Sequence, residues 1–210
     1  MTPIAPARTL DVRHLQLARA AFAAVAAIMV TFSPDHSATV GLSVFSGFAI
    51  ATGLVFGVAA WLVFPAGRRW PSMVLGVLTL LAGLIASVGP WRSTAAFFAV
   101  VITWALVSGI FEAVVAFRGR ADAASRQNAR DGLTIGVLTI VLGLALLLVQ
   151  PQYALDYYIE DAGRSFTLTG IVIAVGVFGG YAAIVAVFLG IAGFSPRRAP
   201  APSAADRSIP

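Results

Sequence analysis

The stretch TIGVLTIVLGLALLLV, residues 134–149, decides the fold. It carries no charge, and its apolar residues run on without alternating with polar ones. A barrel strand would show period-two alternation over about ten residues. At about 1.5 Å rise per residue, an unbroken run of this length comes close to crossing a hydrocarbon layer about 30 Å thick. Within lipid, backbone N–H and C=O groups must be satisfied inside the chain, so the run reads as a transmembrane helix. Gln150-Pro151 stops it, because proline lacks an N–H and turns its predecessor away from helical geometry.

Working outward, five more apolar segments of the same kind appear, giving spans at about 15–32, 39–64, 72–88, 94–117, 132–149 and 167–194. Ser33-Pro34-Asp35, Pro65-Ala66-Gly67 and Gly89-Pro90 punctuate them. The expected fold is an all-α integral membrane protein of six transmembrane helices. Composition agrees: 59% of the 210 residues are hydrophobic, mean hydropathy is +0.91, and 11% are charged, against about 25% in soluble domains. Residues 1–14 and 195–210 read as disordered cytoplasmic arms flanking a transmembrane domain over 15–194, the second being the Pro-, Ala- and Ser-rich SPRRAPAPSAADRSIP. A cleaved signal peptide is the rival reading of the first span, but cleavage near Ala38 would put His36 where a small residue is expected.

All 14 basic residues are arginines. Arg8, Arg13, Arg68, Arg69, Arg118, Arg120, Arg126, Arg130, Arg197, Arg198 and Arg207 fall on one side of the expected topology, and Arg92 and Arg164 on the other. Cytoplasmic loops are enriched in such residues, so both termini are expected in the cytoplasm. Trp61 and Trp70 on that side, and Trp91, Tyr153, Tyr157 and Tyr158 opposite, fit interfacial belts.

The third and fifth spans repeat a pattern: Gly76-Val77-Leu78-Thr79 with Gly83-Leu84, then Gly136-Val137-Leu138-Thr139 with Gly143-Leu144. Ala20 and Ala27 take the glycine places in the first span, and Gly53-Leu54-Val55-Phe56-Gly57 is echoed by Gly109-Ile110-Phe111-Glu112-Ala113. The chain reads as three copies of a helical hairpin. Lipid gives helices no hydrophobic reason to associate, so close approach through small residues is expected to hold them. Gly53, Gly57, Gly76, Gly83, Gly136, Gly143, Gly176 and Gly180 are the expected packing positions; the GxxxG pairs Gly53/Gly57 and Gly176/Gly180 would also allow a homo-oligomer.

These hairpins, with Gly-Val-Leu-Thr-x3-Gly-Leu before a loop proline and then Ser108-Gly109-Ile110-Phe111-Glu112-Ala113, resemble the HdeD-type acid-resistance membrane proteins over about residues 15–192. The resemblance implies a six-helix bacterial inner-membrane protein linked to survival in acid. It carries over no catalytic or ligand-binding residue. An Ala-rich first hairpin and a long acidic connection over 150–166 depart from the pattern.

Glu112 is the one carboxylate inside an expected span, about 7 Å deep at helical rise, and Arg19 lies at similar depth. Intramembrane charge is costly and by default a functional-site candidate, and pairing of Arg19 with Glu112 would offset the cost. Asp156, Glu160 and Asp161 form an external acidic loop that would protonate as the outside acidifies. Absent cysteine excludes disulfides and thiolate sites. His14 and His36 fall on opposite sides, no HExxH, GxSxG or Walker pattern occurs, and no metal or cofactor is expected. The basic residues form no patch interleaved with aromatics, so nucleic acid is not an expected partner; lipid and other membrane proteins are. The expected function is non-enzymatic and acid-stress related, with a small transporter or channel as the alternative. Thr31, Thr52, Thr79, Thr103, Ser108 and Thr139 are scattered through the spans and speak for that alternative.

Overall fold

The computed structural model describes residues 10–121, 126–161 and 163–195, without the side chain of Ala66. The described residues form six α-helices: α1 Val12–Phe32, α2 Ala38–Leu62, α3 Trp70–Ser87, α4 Thr94–Gly119, α5 Arg126–Leu148 and α6 Gly170–Phe194. All six are long and apolar enough to cross a membrane. Their outer faces carry the exposed Ile28, Leu54, Val77, Leu84, Val107, Val141, Ile184 and Val187, an apolar surface suited to lipid. The expected arms over 1–14 and 195–210 lie largely outside the described residues, but α1 takes in 12–14, beginning three residues before the expected span.

Two further boundaries differ from the sequence reading. Helix α5 starts at Arg126 rather than near 132, because its first turns are polar and project beyond the apolar run. Residues 167–169 are not helical. The α5–α6 connection is an antiparallel hairpin, β1 Ala154–Ile159 paired with β2 Arg164–Thr169, so the fold has one small sheet beside its helices. Leu155, Tyr157 and Ile159 alternate along β1 and stand opposite Leu168, Phe166 and Arg164, and Gly163 at φ +60° lies in the turn. This period-two pattern sits between two strong helical runs.

The helices pack most closely between hairpins, α2 on α3, α4 on α5 and α6 on α1, and less closely within them. The ring therefore closes on itself. Antiparallel α1 and α6 meet at both ends: a Cβ on Gly179 would fall 2.5 Å from Val30, and one on Gly193 2.6 Å from Leu17.

The three copies are visible in what each helix buries. Moving the first hairpin forward by 56 residues carries buried Ala20, Ala23 and Ala27 onto buried Gly76, Thr79 and Gly83, and buried Phe48, Thr52 and Gly53 onto buried Trp104, Ser108 and Gly109. A step of 60 takes Gly76, Thr79 and Gly83 to Gly136, Thr139 and Gly143, and a step of 77 takes Trp104, Ser108 and Glu112 to Tyr181, Val185 and Leu189. The excess in the last step is mostly the β-hairpin.

Two seams are built on equivalent glycine pairs. A Cβ on Gly53 would sit 2.9 Å from the Gly76 carbonyl, and one on Gly109 2.9 Å from that of Gly136. Such contact is closer than a side chain tolerates, and it gives the dispersion contacts that hold helices together in lipid. Gly83 and Gly143 pack tightly in the same seams. Gly176 and Gly180 do not: space beside them is open and both are exposed, so the glycines of α6 that pack against α1 are Gly179 and Gly193. The spacing of the pair puts both on one face of the helix, and that face turns away from the bundle. Gly57 has open space at its own Cβ position, although Gly76 approaches its backbone.

Candidate functional site

Each helix sends polar or aromatic side chains into one central chamber. Arg19 comes from α1, Thr52 from α2, Thr79 from α3, Trp104, Ser108 and Glu112 from α4, Thr139 from α5 and Tyr181 from α6. The chamber gives the centre of a water-sized sphere about 20 Å³. The sequence reading left these hydroxyls scattered; four of the six converge here, while Thr31 and Thr103 are exposed on the outer surface.

The structure brings Arg19 and Glu112 together. Arg19 Nη1 donates to Glu112 Oε1 at 2.9 Å and Nη2 to Oε2 at 3.3 Å, a two-pronged bond between helices 93 positions apart. The side chains are 13% and 12% exposed. The guanidinium also lies over the Phe56 ring, 4.4 Å from its centroid. Such a planar fork suits a carboxylate and a ring face at once, which an ammonium would not. One turn below Arg19, buried Gln16 donates to Asp131 at 2.9 Å, so the polar first turns of α1 and α5 adjoin the chamber's mouth.

The repeat makes this pair stand out. Positions equivalent to Arg19 hold Leu75 and Ile135, and those equivalent to Glu112 hold Phe56 and Leu189, all four of them buried. The first and second copies each contribute one charge to this layer, and the third closes it with Ile135 and Leu189 alone. The third element of each copy is an aromatic side chain facing a residue of the preceding helix. Trp104 Nε1 donates to Thr79 Oγ1 at 3.3 Å. Thr139 Oγ1 donates to the Ile135 carbonyl, so at 2.8 Å it accepts from the Tyr181 hydroxyl. In the first copy both partners are apolar, Phe48 and Ala23.

Beyond the chamber the bundle is sealed. Phe45 meets Trp104 and Phe178 edge to face at 5.2 and 5.6 Å, and Phe45, Phe97 and Phe178 are fully buried. Polar access therefore runs from the Arg19–Glu112 end, where α1 begins and α6 ends.

The external acidic residues do not converge. Asp156 lies on β1 and accepts from Thr167 at 2.5 Å, on the face opposite Tyr157 and Phe166, whereas Glu160 and Asp161 occupy the turn. Asp35 caps the turn into α2, accepting from the backbone and hydroxyl of Ser37. His14 accepts from the Asp11 backbone at the start of α1.

What sequence reasoning missed was Trp104 and Tyr181, and the convergence of Thr52, Thr79, Ser108 and Thr139 on one chamber. The available signal was the repeat: a 56-residue step aligns Phe48 with Trp104 and Thr52 with Ser108, and a 60-residue step aligns Thr79 with Thr139.

No curated protein and no solved structure matches this chain. A family described as a short repeat of unknown function (DUF308) matches it twice, over residues 18–88 and 74–148. The first match runs from α1 to the end of α3 and the second from α3 to the end of α5, leaving α6 to be joined to the pattern by its burial alone. Together the matches cover more than half the chain, which belongs to this short-repeat family.

Proposed function

We propose that the protein is a non-enzymatic component of the bacterial inner membrane that serves in acid stress, with both termini in the cytoplasm, acting through its bundle or through membrane-protein partners. The observation that carries this reading is the Arg19–Glu112 pair standing in a layer whose four other equivalent positions hold buried Leu75, Phe56, Ile135 and Leu189. Replacing a buried ion pair by packed apolar residues is often neutral or stabilising, so stability gives little reason to keep one. Intramembrane charges are rare and costly, and they commonly mark functional positions, proton-handling ones among them. The resemblance of the glycine-threonine hairpins to acid-resistance proteins points the same way, and the arginine distribution supports the orientation.

Survival of a deletion strain after acid challenge tests this. Loss of survival restored by the wild-type chain is expected; equal survival with and without the protein would overturn the assignment.

The second reading, a small transporter or channel, is favoured by the polar lining drawn from all six helices. Against it stand the aromatic seal and the small volume. Solute or proton flux across reconstituted vesicles above the protein-free rate would favour this second reading.

A further inference from the structure

Thr52 is 4% exposed and lines the chamber, yet its Oγ1 has no hydrogen-bond partner among the described residues. Its counterpart Ser108 donates to the Trp104 carbonyl four residues back, at 2.5 Å. Thr52 does not make the equivalent bond to Phe48. A buried hydroxyl left unpaired costs about 1–3 kcal/mol, and native interiors almost always satisfy such groups.

The surrounding groups define what would satisfy it. Tyr181 spends its proton on Thr139, which leaves the phenolic oxygen free to accept. Thr79 accepts from Trp104 and retains its own proton to donate. Ser108 has used its proton and keeps acceptor capacity. A molecule that both donates and accepts and is no larger than a single heavy atom fits these groups. Space of about 20 Å³ for water-sized centres exceeds the roughly 10–15 Å³ that one water needs.

We infer that the chamber is a binding site for an ordered water, held on Thr52 and bridging the hydroxyls of the aromatic layer towards Glu112. The site exists because the first copy departs from the other two. At the position equivalent to Thr52 the second copy has Ser108, satisfied by the Trp104 backbone carbonyl, and the third has Val185 with no hydroxyl. Thr52 alone of the three therefore brings an unpaired hydroxyl to the chamber. Phe45, Phe97 and Phe178 close the far side. The water therefore exchanges only past Arg19 and Glu112, and solvent reaches the bundle's interior from one end. This inference concerns the chamber used in the functional reading, but it turns on hydration and not on acid survival, so either can fail alone.

Radiolytic hydroxyl labelling of the full-length chain in lipid nanodiscs, read by mass spectrometry, tests it, because a bound water activated in place marks neighbouring side chains that bulk solvent cannot reach. The buried Trp104 and Tyr181 are expected to be labelled in the wild type and in Thr52→Ser. Labelling is expected to fall several-fold in the near-isosteric Thr52→Val. Absence of label on both residues in the wild type would overturn the proposal, and so would equal labelling in Thr52→Val. The wild-type arm decides on its own should Thr52→Val fail to fold.

Discussion

Arg19 of α1 and Glu112 of α4 form a two-pronged ion pair, at 2.9 and 3.3 Å, in a layer where the repeat elsewhere sets Leu75, Ile135, Phe56 and Leu189. The repeat thus supplies its own control. Each of the two backbone positions is filled once by a charge and twice by an apolar side chain, in a ring whose other buried positions correspond copy by copy.

That control leads to a first prediction. Arg19→Leu or Glu112→Leu alone leaves an unpaired buried charge and is expected to destabilise by about 3–5 kcal/mol. Arg19→Leu with Glu112→Leu recreates the apolar solution of the third copy and is expected to restore near-wild-type stability. Denaturation of the three variants in detergent checks this; a double variant as unstable as the singles would show that the pair holds the bundle together. An exchanged pair, Arg19→Glu with Glu112→Arg, is likewise expected to be more stable than either of its single variants.

The seams separate glycines that pack from glycines that do not. A Cβ at Gly136 would lie 2.6 Å from the Ala113 backbone nitrogen, with no flexible side chain to give way, whereas Gly180 has open space. Gly136→Ala is expected to lower the melting temperature and Gly180→Ala to leave it unchanged or raise it, since alanine is also the better helix former. Chain-by-chain thermal unfolding distinguishes the two.

Hydrogen bonds between helices in lipid average about 0.6 kcal/mol. Tyr181→Phe, which removes the bond to Thr139, is expected to cost about that much. Thr79→Ala with Trp104→Phe mimics the Ala23/Phe48 arrangement of the first copy, and should cost less than the two single changes added together. A double-mutant cycle on unfolding free energies checks the coupling.

Much of the architecture was legible because lipid imposes a simple rule: long apolar runs must be helices, and prolines mark their ends. The same rule hid the polar first turns of α5, where Arg126, Gln127 and Asn128 lie outside any apolar run and read as loop. It also hid the β-hairpin, whose alternating Leu155, Tyr157 and Ile159 cover only six residues. Glu112 and Arg19 were legible as candidates because a charge within a span is conspicuous, and their equal depth suggested a pair. The chamber was not. Each helix contributes only one to three chamber-lining residues, and no local spacing distinguishes Thr52, which faces inward, from Thr103, which faces out. The Gly176/Gly180 spacing fixed one face of α6 but not the direction in which it points.

Acid survival of the deletion strain carrying Arg19→Leu with Glu112→Leu is the most direct measurement. The double variant is expected to reach the membrane at wild-type levels, folded, and yet fail to restore survival where the wild type succeeds. Full rescue by this apolar variant would contradict a role for the ion pair in function and leave it as one more way of closing the ring.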